Sequence, residues 1–159
     1  MSKSQAQDSI VCRNRKAGFR YEILEKLECG IALQGSEVKS LRERQASIEE
    51  AYARIDGGEV WLIGAHIAPY PHARTNPHDP YRRRKLLAQR QEIRRLAPQL
   101  DLKGFTLVPL AIYFNSRGMA KVSLGLARGK NVGDKRESLK EREHAREMDL
   151  AMRRGKGSR

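Results

Sequence analysis

From Phe19 onward the chain alternates. Phe19, Tyr21, Ile23, Leu27, Cys29, Ile31 and Leu33 occupy odd positions, and Arg20, Glu22, Lys26, Glu28 and Gln34 occupy even ones. A period of two predicts a half-buried strand or strand pair, interrupted near Gly30. Gly35 and Ser36 punctuate, and Val38 to Arg44 is expected to form a short helix capped by Ser36. Two apolar runs follow, Ala51 to Ile55 and Val60 to Ile67, with Asp56-Gly57-Gly58-Glu59 between them. Glycines supply the positive φ of a tight hairpin turn, so these runs are expected to pair. Pro69 and Pro71 end the second run, and Tyr70 to Tyr81 is a proline-rich loop. Arg82 to about Leu96 reads as a helix, with Leu86, Ile93 and Leu96 on one stripe and Leu87 beside it. Phe105 to Phe114 reads as a buried strand, Asn115-Ser116-Arg117-Gly118 as a turn, and Ala120 to Ala127 as the returning strand. Strands joined by short turns imply an antiparallel sheet. At 159 residues one domain is expected, mainly β with flanking helices, its sheet closed into a small barrel.

The two ends differ in character. Residues 1–12 are polar and read as a disordered leader, leaving 13–133 as the folded domain. From Asp134 to Arg159 nine Lys/Arg face six Asp/Glu, bulky apolar residues are few, and proline is absent. Such a tail cannot bury enough to fold alone, and disorder is expected in the free chain. Glu143 with Arg146 and Asp149 with Arg153 nevertheless lie at helical spacing, so the tail is helix-competent on a partner.

Charge narrows the function. The net charge is +13 at a pI near 10.2, which favours a polyanion: nucleic acid, an acidic membrane face or an acidic protein. The bland alternative is a solvated surface kept soluble by charge. No apolar run approaches a membrane span, and the first residues lack the pattern of a signal peptide, so a cytoplasmic location is expected. Cys12 and Cys29 form no CxxC motif and read as thiols, Cys29 half-buried in a strand. Gly125 to Asn131 resembles a phosphate-binding loop. It has one residue too few between its glycines, and Asn131 stands where a magnesium-binding hydroxyl belongs. His66, His72 and His78 are spaced too widely for a usual metal site, and no metal, cofactor or small-molecule substrate is expected. No catalytic constellation stands out, so the chain reads as no enzyme. What remains are basic clusters. Arg13, Arg15, Lys16 and Arg20 surround the first strand. Arg82-Arg83-Arg84-Lys85, then Arg90, Arg94 and Arg95, load one expected helix. Positive charge at a helix N-terminus opposes the macrodipole, and an anionic partner would relieve it. Phe19, Tyr70 and Tyr81 stand beside these clusters and offer stacking surfaces for unpaired bases.

Seven short motifs then recur in a familiar order. They are Asn14-Arg15-Lys16-Ala17 leading into Tyr21-Glu22-Ile23, Gly35-Ser36-Glu37-Val38-Lys39-Ser40-Leu41-Arg42, His66-Ile67-Ala68-Pro69-Tyr70, Arg84-Lys85-Leu86-Leu87, Lys103-Gly104, Ala127-Arg128-Gly129-Lys130 and Asp134-Lys135-Arg136. Together they resemble the bacterial SsrA-binding protein family, also called small protein B, over nearly the whole chain. The resemblance implies an oligonucleotide-binding-like barrel with about three helices. It implies binding to the tRNA-like part of transfer-messenger RNA (tmRNA, or SsrA RNA), entry into stalled ribosomes for trans-translation and ribosome rescue, and no catalysis. It implies a tail that becomes helical in the empty mRNA channel near the 16S rRNA decoding region. Carried onto this chain, it implies RNA contacts at Glu37, Lys39, Ser40 and Arg42, with Asn14, Arg15 and Lys16 close by. Arg83, Arg84, Lys85, Lys121, Arg128 and Lys130 complete the candidate RNA-binding set. The candidate ribosome-facing residues of the tail are Asp134, Lys135, Arg136, Lys140, Arg142, Arg146, Met148 and Arg153. Ser36 for threonine, Cys29 for alanine and Asn131-Val132-Gly133 for a more basic stretch are departures from the family pattern. An RNA-processing or nucleotide-dependent factor, and a general RNA chaperone, are the alternative readings of the same residues.

Overall fold

The computed structural model describes residues 9–72, 77–130 and 142–152. In chain order it holds β1 (Ser9–Arg13), α1 (Ala17–Arg20), β2 (Tyr21–Ile31), α2 (Gly35–Arg42), β3 (Ala46–Ser47), β4 (Tyr52–Asp56), β5 (Glu59–Ile63), β6 (His66–Ile67), β7 (Arg84–Leu87), α3 (Arg90–Leu100), β8 (Phe105–Phe114) and β9 (Ala120–Gly129). A helix over 142–152, here α4, follows.

Six strands pair in the order β8-β4-β5-β7-β2-β9, and β9 pairs back onto β8, so the antiparallel sheet closes. Closure removes the exposed edges that invite aggregation. β1 adds to the free half of β8, with Ile10 opposite Tyr113 and Arg13 opposite Ala111. The other half of that edge meets β4 at one register pair, Ala53 with Leu107. Leu27, Cys29, Ile31, Val60, Leu62, Leu86, Leu107, Ile112, Val122, Leu124 and Leu126 fill the interior, covered by Leu41 of α2 and Leu96 of α3. The alternation of β2 turns Leu27, Cys29 and Ile31 inward, but the register shifts between Ile23 and Glu25, and Tyr21 and Ile23 pack instead on a second cluster of Ala17, Val108 and Ala127. The β4–β5 hairpin turns on Gly57 and Gly58, whose φ values of 61° and 75° suit a two-residue turn.

Four expectations change. First, Ser9–Arg13 is a strand rather than leader, because its backbone finds partners on β8. Second, α2 starts at Gly35, and Gln34 is its cap; the Glu37 carboxylate accepts a hydrogen bond from Gln34 N–H at 2.9 Å. It ends before Arg44, whose φ of 59° is left-handed. Third, the expected helix over Arg82–Leu96 is a strand and a helix. Arg84 and Leu86 point inward and Lys85 and Leu87 outward, and this period-two stretch is hydrogen-bonded to β5 and β2. The stripe of Leu86, Ile93 and Leu96 crossed two elements by coincidence of spacing. Fourth, the second apolar run divides into β5 and β6, and Phe19 lies on the short α1 rather than on β2.

Candidate nucleic-acid interface

The corner between α2 and β7 holds charge inside the protein. Glu37 and Arg84 are both 0% exposed, and Arg84 Nε donates to Glu37 Oε2. Arg82 Nη2 reaches Glu37 Oε1 at 2.6 Å, and Arg84 Nη1 donates to the Ala65 carbonyl at 3.0 Å. Burial alone would raise the Glu37 pKa. Hydrogen bonds from Arg82, the Gln34 N–H and Arg84 outweigh it and hold the carboxyl below its ordinary 4.5. Burial likewise draws the Arg84 pKa down, against the pull of Glu37. His78, also buried, extends the corner. Its Nε2 lies 2.9 Å from the Ile67 carbonyl, which can only accept, so Nε2 donates there; Nδ1 lies 2.9 Å from the Ser36 hydroxyl. Ser40 is buried and donates to the Ala68 carbonyl at 2.7 Å.

Three expected RNA contacts, Glu37, Ser40 and Arg84, are therefore enclosed in protein. They hold α2 against β6 and β7. Lys39 and Arg42 then stand on the outer side of α2, Lys39 over the Tyr70 ring at 5.5 Å and Arg42 over Phe114 at 4.6 Å. The rest of the Arg82–Lys85 run is also engaged. Arg83 covers the Trp61 ring at 4.1 Å and pairs with Asp56 at 3.3 Å, and Lys85 pairs with Glu59 at 2.7 Å. Arg90, Arg94 and Arg95 do lie on α3, where Arg95 pairs with Glu25.

The outer face of β1, β8, β9 and β2 is arranged differently. Its centre is floored by small residues, Ala111 and Ser123, paired across the strands. At Gly125 an added Cβ would come within 3.1 Å of Ile23 and 3.2 Å of Leu110, so any larger residue would push those two side chains aside. Over Ala111 and Ser123 lies a trough of about 510 Å³, walled by Ile10, Arg13, Lys26, Glu28 and Tyr113. Tyr113 donates its phenolic hydrogen to the Glu28 carboxylate. Arg13, Lys26 and, on the neighbouring position of β9, Lys121 enter no ion pair among the described residues. Lys121 and, within the first basic cluster, Arg13 were offered by the sequence; Lys26, Glu28 and Tyr113 were not. Lys26, Glu28 and Tyr113 are single residues in ordinary alternations, and only the register brings them together.

The remaining candidates divide between the ends of the barrel. The register places Gly30, Lys121 and Phe114 at one end and Tyr21, Gly129 and Phe105 at the other. At about 3.3 Å per residue the ends are roughly 30 Å apart. Arg42 belongs to the first end, where its Nη2 lies 3.5 Å from the Gly118 carbonyl. Lys16, Arg128 and Lys130 belong to the second. Lys16 pairs with Glu49 and Glu50, Arg128 with Glu22, and Lys130 Nζ donates to the Gly18 carbonyl at 2.9 Å. Arg15 is exposed in the turn before α1. Asn14 is a clip at the seam. Its Nδ2 donates to the Pro109 carbonyl at 3.0 Å and its N–H to Leu110, while Oδ1 is buried with no partner.

Arg142, Arg146 and Met148 lie on α4, exposed along its whole length, with Arg142 over the Phe19 ring at 5.8 Å. Asp134, Lys135, Arg136, Lys140 and Arg153 lie outside the described residues. The Gly125–Lys130 segment is mostly strand β9, not a loop before a helix. His66 packs on Tyr81 at 4.9 Å and His72 on Tyr70 at 5.5 Å. Among the described residues no His, Cys, Asp and Glu gather as a metal site, and no helix is long and apolar enough to cross a membrane. Burial pushes the Cys12 thiol up to about 11 and the Cys29 thiol to about 12.

Comparison with known proteins agrees with these motifs. The family model described as SmpB protein matches residues 11–154. An SsrA-binding protein of Chelativorans sp. is 53% identical over 88% of this chain and 90% of its own length. One of Thermosynechococcus vestitus is 52% identical over 91% and 95%. One of Rhodopirellula baltica is 49% identical over 96% and 86%. A chain in a solved structure described as "tmRNA-SmpB: a journey to the center of the bacterial ribosome" superposes with a TM-score of 0.65 at 50% identity, over 80% of this chain and 93% of that one. With the family model matched over most of its length and relatives near half identical, the chain belongs to the SmpB family.

Proposed function

We propose that this protein binds the tRNA-like part of tmRNA and delivers it to stalled ribosomes for trans-translation. The observation that carries the reading is the trough on β1, β2, β8 and β9, where Arg13, Lys26 and Lys121 stand, among the described residues, without ion-pair partners around a floor of small residues. Phosphates satisfy such cations, and the Glu28 carboxylate, held by Tyr113, accepts from a ribose hydroxyl or a base edge. Lys39 and Arg42 extend this surface at one end of the barrel. Membership in a family whose relatives are named for SsrA binding supports the choice of RNA. The second end carries Arg15, Lys16, Arg128 and Lys130, the remaining candidate RNA contacts. From there the tail from Asp134, with Arg142, Arg146 and Met148 on α4, enters the empty mRNA channel beside the 16S decoding region.

Titration against tmRNA and an unrelated RNA hairpin at two salt concentrations tests the first contact. A clear preference for tmRNA, with affinity falling steeply as salt rises, is expected; equal affinity for the two RNAs refutes specific binding. Removal of residues 134–159 is expected to leave tmRNA affinity intact and abolish peptide tagging on stalled ribosomes. Tagging by the shortened chain refutes the role of the tail.

A further inference from the structure

Where β8 parts from β4, beside α1, lies a cavity of about 250 Å³ separate from the trough. Arg20, Tyr21, Glu49, Glu50, Tyr52 and Thr106 line much of it. Three features point to a ligand. Tyr52 is 43% exposed at the mouth, a large ring left half open to solvent. The cavity is rich in acceptors, with the carboxylates of Glu49 and Glu50 at its rim. Cations wait beside those carboxylates, since Glu50 reaches Lys16 and Arg20 at 3.5 Å each. These are long, solvent-exposed pairs of the kind that contribute little, so a stronger partner can replace either side.

A carboxylate presents two acceptor oxygens side by side. Among the RNA bases only guanine offers two adjacent donors on its Watson–Crick edge, N1–H and N2–H. Adenine and cytosine put an acceptor beside their amino group, and uracil has one donor between two acceptors. We propose that this cavity receives one unstacked guanine of the bound RNA. The ring stacks on Tyr52 and Tyr21, N1–H and N2–H donate to the Glu50 carboxylate, and the neighbouring phosphate rests on Arg20 and Lys16. The guanine takes the place of the cations at Glu50 and the phosphate takes the place of Glu50 at the cations, so the cations keep a counter-charge and the carboxylate exchanges its exposed ion pairs for two hydrogen bonds. The proposal rests on the RNA-binding reading and adds to it a base preference at one position.

The test uses the full-length protein and labelled heptauridylates carrying one central guanosine, inosine or adenosine, followed by fluorescence anisotropy. The guanosine probe is expected to bind about tenfold tighter than the adenosine probe, the size of a good two-point base contact. Inosine, which lacks the N2 amine, is expected to fall between them. Glu50→Gln is expected to abolish the preference. Tyr52→Ala is expected to weaken the guanosine probe about tenfold and Tyr52→Phe to retain it. Equal affinity for all three probes, or a guanosine preference that survives Glu50→Gln, overturns the proposal. Titration of the unaltered protein with tmRNA separates the two readings. A tmRNA preference without a guanosine preference overturns the cavity alone; a guanosine preference without a tmRNA preference supports the cavity and overturns the choice of RNA.

Discussion

The Arg82–Lys85 run and the outer face of β1, β2, β8 and β9 are both rich in cations and use them in opposite ways. In the run every positive side chain has a partner inside the protein: Glu37 for Arg82 and Arg84, Asp56 and Trp61 for Arg83, Glu59 for Lys85. On the outer face Arg13, Lys26 and Lys121 come from three strands and meet no carboxylate among the described residues. Four basic residues in a row are thus not a basic patch in space. A patch is made by cations whose counter-charges are missing, and only the fold determines which those are.

The largest effect expected from breaking this contrast lies in the buried corner. Glu37→Ala leaves Arg84 enclosed without its carboxylate, and removing one partner of a buried pair costs about 3–5 kcal/mol. Urea denaturation should show a lower midpoint at unchanged slope, whereas an unchanged midpoint would mean that water reaches Arg84. The same corner sets a pH dependence. The folded Glu37 pKa lies below its unfolded value near 4.5, so its stabilisation is full above that value and is lost as pH falls through the folded pKa. In that interval the unfolded chain binds the proton first. Stability measured from pH 6 to pH 3 should therefore fall more steeply in the natural protein than in Glu37→Gln; parallel curves would assign acid sensitivity elsewhere.

At the seam the effect is smaller. Asn14→Ala leaves the Pro109 carbonyl without its side-chain donor and should cost about 1–3 kcal/mol, read as a lowered Tm. No change in Tm would show that water or another donor serves that carbonyl. The smallest effect belongs to the exposed pairs. Arg128→Ala removes a solvent-exposed bridge to Glu22 and should change stability by less than about 1 kcal/mol in thermal unfolding.

Much of the barrel was legible because its determinants are local. The odd-position alternation of β2 and the Gly57-Gly58 turn each sit within a few residues and read directly as strand and hairpin. The corner was not legible. Arg84 finds Glu37 across 47 positions, and nothing near Arg84 announces burial except a four-residue alternation that also fits a helix stripe. Glu37 falls in the family's RNA-binding motif, and its carboxylate is taken up inside the protein by Arg82, Arg84 and the N–H of Gln34 at the start of α2. The trough failed to show for the converse reason: Lys26, Glu28 and Tyr113 are unremarkable singly and become a surface through the β2–β9–β8 register.

The most direct test is the slope of log affinity against log salt for tmRNA. Two triple variants would be compared with the natural protein: Arg13→Ala with Lys26→Ala and Lys121→Ala, and Arg54→Ala with Arg83→Ala and Arg95→Ala. Each lost phosphate contact lowers the slope by roughly 0.7–0.9. The first variant is expected to lower it by about two to three and the second to leave it nearly unchanged. An unchanged slope in the first variant, or an equal fall in both, would contradict the assignment of RNA phosphates to the unpaired cations of the outer face.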